Sequence, residues 1–156
     1  MTLHRLMPRV VCLALAGALG ACSNSEAPRP ATMLEAAPSY SDLGALRVHY
    51  NVLPTLAMNP AVAASYRVPQ EPDQALLVVA LRHRTGGDEL PADGRVSASA
   101  VDLSGRRQQI TLRQVHTGGY TDNVGLVTVS RHDTLRFELH VQSAHGGGLV
   151  RFQRSY

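Results

Sequence analysis

The sequence predicts an all-β protein, an antiparallel β-sandwich of the immunoglobulin-like kind. Three observations carry that reading. From residue 46 onward apolar residues recur with a period of two or in runs of strand length. Gly-, Asp- and Asn-bearing turns separate these segments at short intervals, and only one stretch has the cap and spacing of a helix. About seven strands and one short helix after the first strand are expected. There is no Trp, and both Cys residues precede this region, so the usual core marks of an immunoglobulin domain are missing; a small open barrel is the alternative.

The elements follow in order. Residues 1–21 read as a signal peptide of lipoprotein type: Arg5 and Arg9 precede an apolar run over 10–19 that is too short to span a bilayer as a helix. Leu19-Gly20-Ala21-Cys22 is a lipobox, in which small residues admit the signal peptidase and the Cys22 thiol takes the lipid. The competing reading is an ordinary signal peptide cut after Gly20. Two or three acyl chains on Cys22 would give stable membrane attachment, where a single chain would be marginal. Ser23 follows instead of the aspartate that retains lipoproteins at the inner membrane, so the expected place is the periplasmic face of the outer membrane, with soluble periplasm as the alternative. Residues 22–39 are a flexible tether rich in proline and small residues, reaching roughly 20–25 Å as a coil.

The folded domain is expected over residues 40–156. Leu46, Val48, Tyr50 and Val52 alternate with Arg47, His49 and Asn51, one set facing a core and the other water. Asn59 before Pro60 is an N-cap with proline at the first helical position, and Val68-Pro69 ends the short helix. The apolar run 75–81 predicts a central strand buried on both faces, and Gly86, Gly87, Pro91 and Gly94 predict a loop. Strands then follow over 95–103, 108–115, 124–129, 135–141 and 149–155. Of these the alternation of Leu135, Phe137, Leu139 and Val141 is the clearest.

Charge and cysteine usage exclude several functions. All 15 basic residues are arginine, and once Arg5 and Arg9 leave with the signal, thirteen arginines face twelve acids. That leaves no electrostatic case for nucleic acid. Cys12 leaves with the signal and Cys22 is taken by lipid, so the mature domain has no thiol for a disulfide, redox cycle or thiolate metal site.

At Val48-His49-Tyr50-Asn51-Val52-Leu53-Pro54-Thr55 the chain resembles the domain of unknown function 4426 family, small exported proteobacterial proteins. The likeness continues through Asn59-Pro60-Ala61-Val62-Ala63 to Tyr66, then Ala75-Leu76-Leu77, Asp102-Leu103-Ser104-Gly105, Leu135-Arg136-Phe137, and finally Phe152 and Tyr156, over about 110 residues in collinear order. Two departures stand out: Ala61 replaces an acidic residue after the helix proline, and the leader is a lipobox instead of a simple signal. The resemblance implies an exported sheet domain and nothing about catalysis.

The candidate binding residues are His49, Asn51 and Thr55, a polar cluster on the outward side of the first strand and the turn after it. The plainer reading has Asn51 and Thr55 bonding the turn's amides and His49 on the open sheet surface. Six histidines survive processing, with no HxH, no helical HxxxH and no methionine motif, so neither metal nor cofactor is expected. The metal alternative rests on His132 with His140, across neighbouring strand ends. No nucleophile with a base, carboxylate pair or phosphate loop is recognisable, so no catalytic residue is assigned. The expected function is a lipid-anchored, non-catalytic envelope module with a protein partner; the alternative is a periplasmic metal or small-ligand binder using surface histidines.

Overall fold

A computed structural model describes residues 39–156. The signal segment, Cys22 and the tether up to residue 38 lie outside the described residues. The strands are β1 (Tyr40–Leu43), β2 (Leu46–Pro54), β3 (Gln74–Thr85), β4 (Asp88–Pro91), β5 (Arg95–Val101), β6 (Arg107–Ile110), β7 (Arg113–Thr117), β8 (Tyr120–Thr128), β9 (Thr134–Ser143) and β10 (Gly146–Ser155). The helix α1 (Pro60–Ser65) follows a single 3-10 turn at Thr55–Ala57. Two antiparallel sheets result. Sheet A runs β1-β2-β3-β8-β7, with β4 pairing the far end of β3; sheet B runs β10-β9-β5-β6. The architecture is the predicted sandwich.

The period-two pattern explains the core. Leu46, Val48, Tyr50 and Val52 of β2 and Ala75, Leu77, Val79 and Leu81 of β3 face Ala98 and Ala100 of β5 and the β9 row Leu135, Phe137, Leu139 and Val141, all buried. Phe137 and Phe152, the chain's two phenylalanines, stack with ring centroids 4.8 Å apart, and Phe152 stacks on Tyr50 at 4.2 Å. Three rings thus form a column that joins sheet B to sheet A. Offset or stacked aromatic pairs add about 0.5–1.5 kcal/mol beyond the area they bury.

The run 75–81 is apolar throughout because β3 is covered on both sides. Leu76 and Val124 on the outer face of sheet A meet Met58, Ala63 and Val68, with Val78 and Tyr66 packed alongside. A six-residue helix has no stability of its own. It is held by this packing and by Asn59, whose Oδ1 accepts from the Ala61 amide at 2.9 Å.

Among the described residues ten strands replace the expected seven, for three local reasons. β1 is a four-residue hairpin partner of β2. The expected loop over Gly86–Gly94 contains β4, paired to β3 from Arg82↔Pro91 to Thr85↔Asp88. The single strand expected over 108–115 is two strands in different sheets: Ile110 is buried in sheet B, Thr111 and Leu112 cross the gap, and Arg113 opens β7 in sheet A. Gly125 of β8 makes room for the crossing. A Cβ there would lie 2.7 Å from the Thr111 carbonyl oxygen and 2.7 Å from Ile110 Cγ2. Beside it the Gln108 amide donates to the Thr128 carbonyl and accepts from its N–H, each at 3.0 Å, bridging the sheets as a strand backbone would.

Candidate functional site

Because Leu46, Val48, Tyr50 and Val52 face inward, Arg47, His49 and Asn51 stand on the outer face of sheet A. Strand register then decides their neighbours. Asp42 pairs with Arg47 and Tyr40 with His49 across β1–β2. Across β2–β3, Arg47 pairs with Arg82 and His49 with Ala80, and Arg84 pairs with Glu89 across β3–β4. Four strands therefore deliver one charge network.

Its centre is Arg47, whose Nε and Nη2 donate to the two oxygens of Asp42 at 2.7 and 2.9 Å while Nη1 donates to Glu89 at 2.8 Å. His49 Nε2 meets the other Glu89 oxygen at 2.7 Å, and Arg84 reaches Asp42 at 3.1 Å. The bond from His49, and then that from Arg47, hold the Glu89 carboxyl below the usual glutamate range. Arg47 does the same for Asp42. The Arg47 guanidinium also lies 4.0 Å from the centre of the Tyr40 ring.

Beyond His49 the face dips. A shallow groove of about 240 Å³ is lined by Ser39, His49, Tyr50, Asn51, Val78 and Ala80. Ala80 sits between His49 on β2 and Asp122 on β8 in one register row, so its small side chain leaves the floor low. On the β8 side the Tyr66 hydroxyl donates to Asp122 at 3.0 Å, and Arg82 stacks 4.8 Å from the Tyr120 ring centre. Burial, with Asp122 adding to it, raises the Tyr66 hydroxyl's pKa. Tyr40 and Tyr120, 40% and 50% exposed, thus flank the face, each under an arginine.

The sequence-predicted residues fall as follows. His49 and Asn51 share the groove. Asn51 Oδ1 accepts from the Val52 amide at 2.8 Å, and among the described residues nothing accepts from its amide nitrogen. Thr55 lies elsewhere. It is fully buried, donating to the Glu71 carbonyl at 2.8 Å and accepting from the Glu71 amide at 2.9 Å, and so fastens the turn after β2 to the segment before β3. Cys22 is outside the described residues. His132 and His140 are not brought together: His132 is in the β8–β9 turn with φ 61, while His140 lies well along β9, about 20 Å further on at strand rise. The imidazoles that do meet are His83 and His145, stacked at 3.9 Å. Among the described residues no group of three or more His, Cys, Asp or Glu side chains is placed to hold a metal ion, and no helix is long and apolar enough to cross a membrane. Asp42, Glu89, Tyr66 and Asp122 were missed as members of this face. Glu89 falls within the loop expected over Gly86–Gly94, and Asp42 lies on a strand too short to show a pattern, although the alternation of Tyr40 and Asp42 ahead of the Gly44 turn is the available signal.

The model for the domain of unknown function DUF4426 matches residues 40–156, the whole sandwich. The chain belongs to the DUF4426 family. It resembles the crystal structure of a DUF4426 family protein from Pseudomonas aeruginosa PAO1 at 24% identity and a TM-score of 0.63, covering 75% of this chain and 92% of that one. It also resembles two structures of FetP from uropathogenic Escherichia coli strain F11, a copper-bound variant and the protein as isolated. Each shares 12% identity and a TM-score of 0.52 over 75% of this chain, and over 93% and 91% of the FetP chains. At these identities the likeness is one of fold. No curated protein sequence matches the DUF4426 chain significantly.

Proposed function

We propose that this DUF4426 protein is a lipid-anchored, non-catalytic module of the bacterial cell envelope, attached through Cys22 at the periplasmic face of the outer membrane, that binds a protein through the outer face of sheet A. The observation that carries it is the pair of half-exposed tyrosines, Tyr40 and Tyr120, each stacked under an arginine on either side of the groove. Tyrosine and arginine are among the side chains enriched where proteins meet: tyrosine buries a large ring at little entropic cost and keeps a polar end, and arginine adds a planar fork of donors. The acids between them are ion-paired with neighbouring arginines, an arrangement suited to recognition. A photo-crosslinker at Asn51 should give one discrete protein adduct in intact cells, lost in the Tyr40→Ala, Tyr120→Ala double variant. Adducts of the same pattern from a crosslinker at Gln142, on the opposite face, would remove the reading. For the anchor, Cys22→Ser should leave the chain unprocessed or release it from membranes; a processed variant still in the membrane fraction would refute it.

The second reading is a periplasmic metal binder. The stacked His83 and His145 favour it, as does the copper-bound state of the structurally similar FetP variant. Two imidazoles supply half of a tetrahedral donor set.

A further inference from the structure

Sheet B turns a different face to solvent. Its inner residues are largely apolar, and the alternate positions put Arg95 on β5, Arg107 on β6, Arg136 on β9 and Arg151 on β10 on the outside, with Glu138 the acid among them. Register sets them in two adjoining rows: Arg107, Val101, Arg136 and Gln153, then Gln109, Ser99, Glu138 and Arg151. Glu138 accepts from Arg151 at 2.9 Å and from Arg107 at 3.3 Å. Among the described residues, neither Arg95 nor Arg136 has a carboxylate within ion-pair reach. The face is shallow, with a depression of about 560 Å³ over Val101, Arg107, Arg136, Glu138, Arg151 and Gln153. The outer face of sheet A differs, since there Arg47, Arg82 and Arg84 lie beside Asp42, Glu89 and Asp122.

We infer that the outer face of sheet B is the surface this domain lays against an anionic lipid headgroup layer. The proposal rests on the lipid-anchored reading above, which brings a bilayer within reach, and it adds which side of the domain faces that bilayer. Arginine suits the role because its planar fork can take two oxygens of one phosphate. Four guanidinium groups spread over a four-stranded sheet match a layer of phosphates better than a single anion, which needs donors that converge. A residue of this kind at an anionic surface is worth roughly a fivefold change in binding, so losing three is on the order of a hundredfold.

The test uses the processed chain extracted from membranes, with intact mass reporting acylation. With Cys22 acylated, a single introduced cysteine can be labelled alone. A fluorophore is placed at Gln142→Cys on the sheet B face or at Ser65→Cys on α1, and the chain is reconstituted in vesicles carrying headgroup quenchers, of phosphatidylcholine with or without phosphatidylglycerol. The Gln142 label should be quenched in phosphatidylglycerol vesicles and the Ser65 label should not. The contrast should vanish in high salt and in Arg95→Gln, Arg136→Gln, Arg151→Gln, and survive in Arg84→Gln. Equal quenching at both positions, or the same contrast in phosphatidylcholine alone, would overturn it. So would protection of Gln142 in native membranes that pure lipid does not reproduce, which would assign the face to an acidic protein. If intact mass shows no acyl group, the anchor reading fails separately. Sedimentation of that chain with phosphatidylglycerol vesicles alone would then keep the face assignment, and its absence would end it.

Discussion

Replacing Phe137 by Ala removes the sheet B end of the ring column that joins the two sheets. Phe137 is 1% exposed on β9 and stacks on Phe152, which stacks in turn on Tyr50 of the facing sheet. Truncating a buried Phe costs about 3–5 kcal/mol, the loss of transfer energy plus the cavity left behind. Unfolding entropy of about 2.1 cal/mol/K per residue gives roughly 0.25 kcal/mol/K for about 120 residues, so each kcal/mol lowers Tm by about 4 °C. The expected fall is about 12–20 °C, with an unchanged urea m-value if unfolding stays two-state. Phe137→Leu keeps much of the area and loses the stack, and should cost about 1–2 kcal/mol. Combined with Phe152→Leu in a double-mutant cycle, it should show a coupling of about 0.5–1.5 kcal/mol. A fall below about 4 °C for the Ala variant would place the ring outside the core, and zero coupling would refute the stack.

Gly125→Ala should lower stability by about 1–3 kcal/mol, since its methyl group meets the carbonyl of the crossing at Thr111; thermal unfolding no different from the parent would mean the crossing lies elsewhere. Glu89 has a folded pKa below its unfolded value, so its contribution is complete above the unfolded titration and is lost as pH falls through the folded one, below about pH 4. Glu89→Gln lacks that contribution at every pH, and its Tm should fall less than the parent's between about pH 6 and pH 3; parallel curves would disprove the network's role. On the protein-binding reading, equimolar Cu(II) or Zn(II) should barely move the Tm of the metal-free protein, because stabilisation is RT ln(1 + [L]/Kd) and two imidazoles bind weakly. A rise of several degrees, abolished in His83→Ala, His145→Ala, would favour the metal binder.

Where a strand carries large residues on one side, period alone placed it: β2 and β9 have the predicted inward rows residue for residue. The helix was equally legible, because Asn59-Pro60 is a local signal and the cap it implies is formed. What could not be read depends on pairing. Nothing local distinguishes one strand over 108–115 from two in different sheets, since the break is set by Gly125 on another strand. The candidate site shows the same limit. His49 and Asn51 are visible as outward neighbours on β2, but Asp42 and Glu89 join them only through the β1–β2 and β3–β4 registers. The histidine pair that meets, His83 with His145, comes from β3 of sheet A and the β9–β10 turn of sheet B, which no spacing along the chain encodes.

The long outermost strand of sheet B bears on self-association. β10 has ten residues and pairs on one side with β9, so its other side offers backbone donors and acceptors that a second copy could match. Two devices oppose this. At its start Gly146 has φ +145 and lies so close to the Leu43 carbonyl oxygen that any Cβ would come within 2.0 Å, and this contact occupies that end. Further along, Arg151 and Arg154 set like charges against a neighbouring copy that would have to bring its own. Anchored molecules confined to a plane meet one another far more often than molecules in bulk, because attachment raises their effective concentration. On the lipid-anchored reading, neutralising Arg154 should therefore show first as clustering on the membrane, before any loss of fold, whereas a side chain at Gly146 should also cost stability.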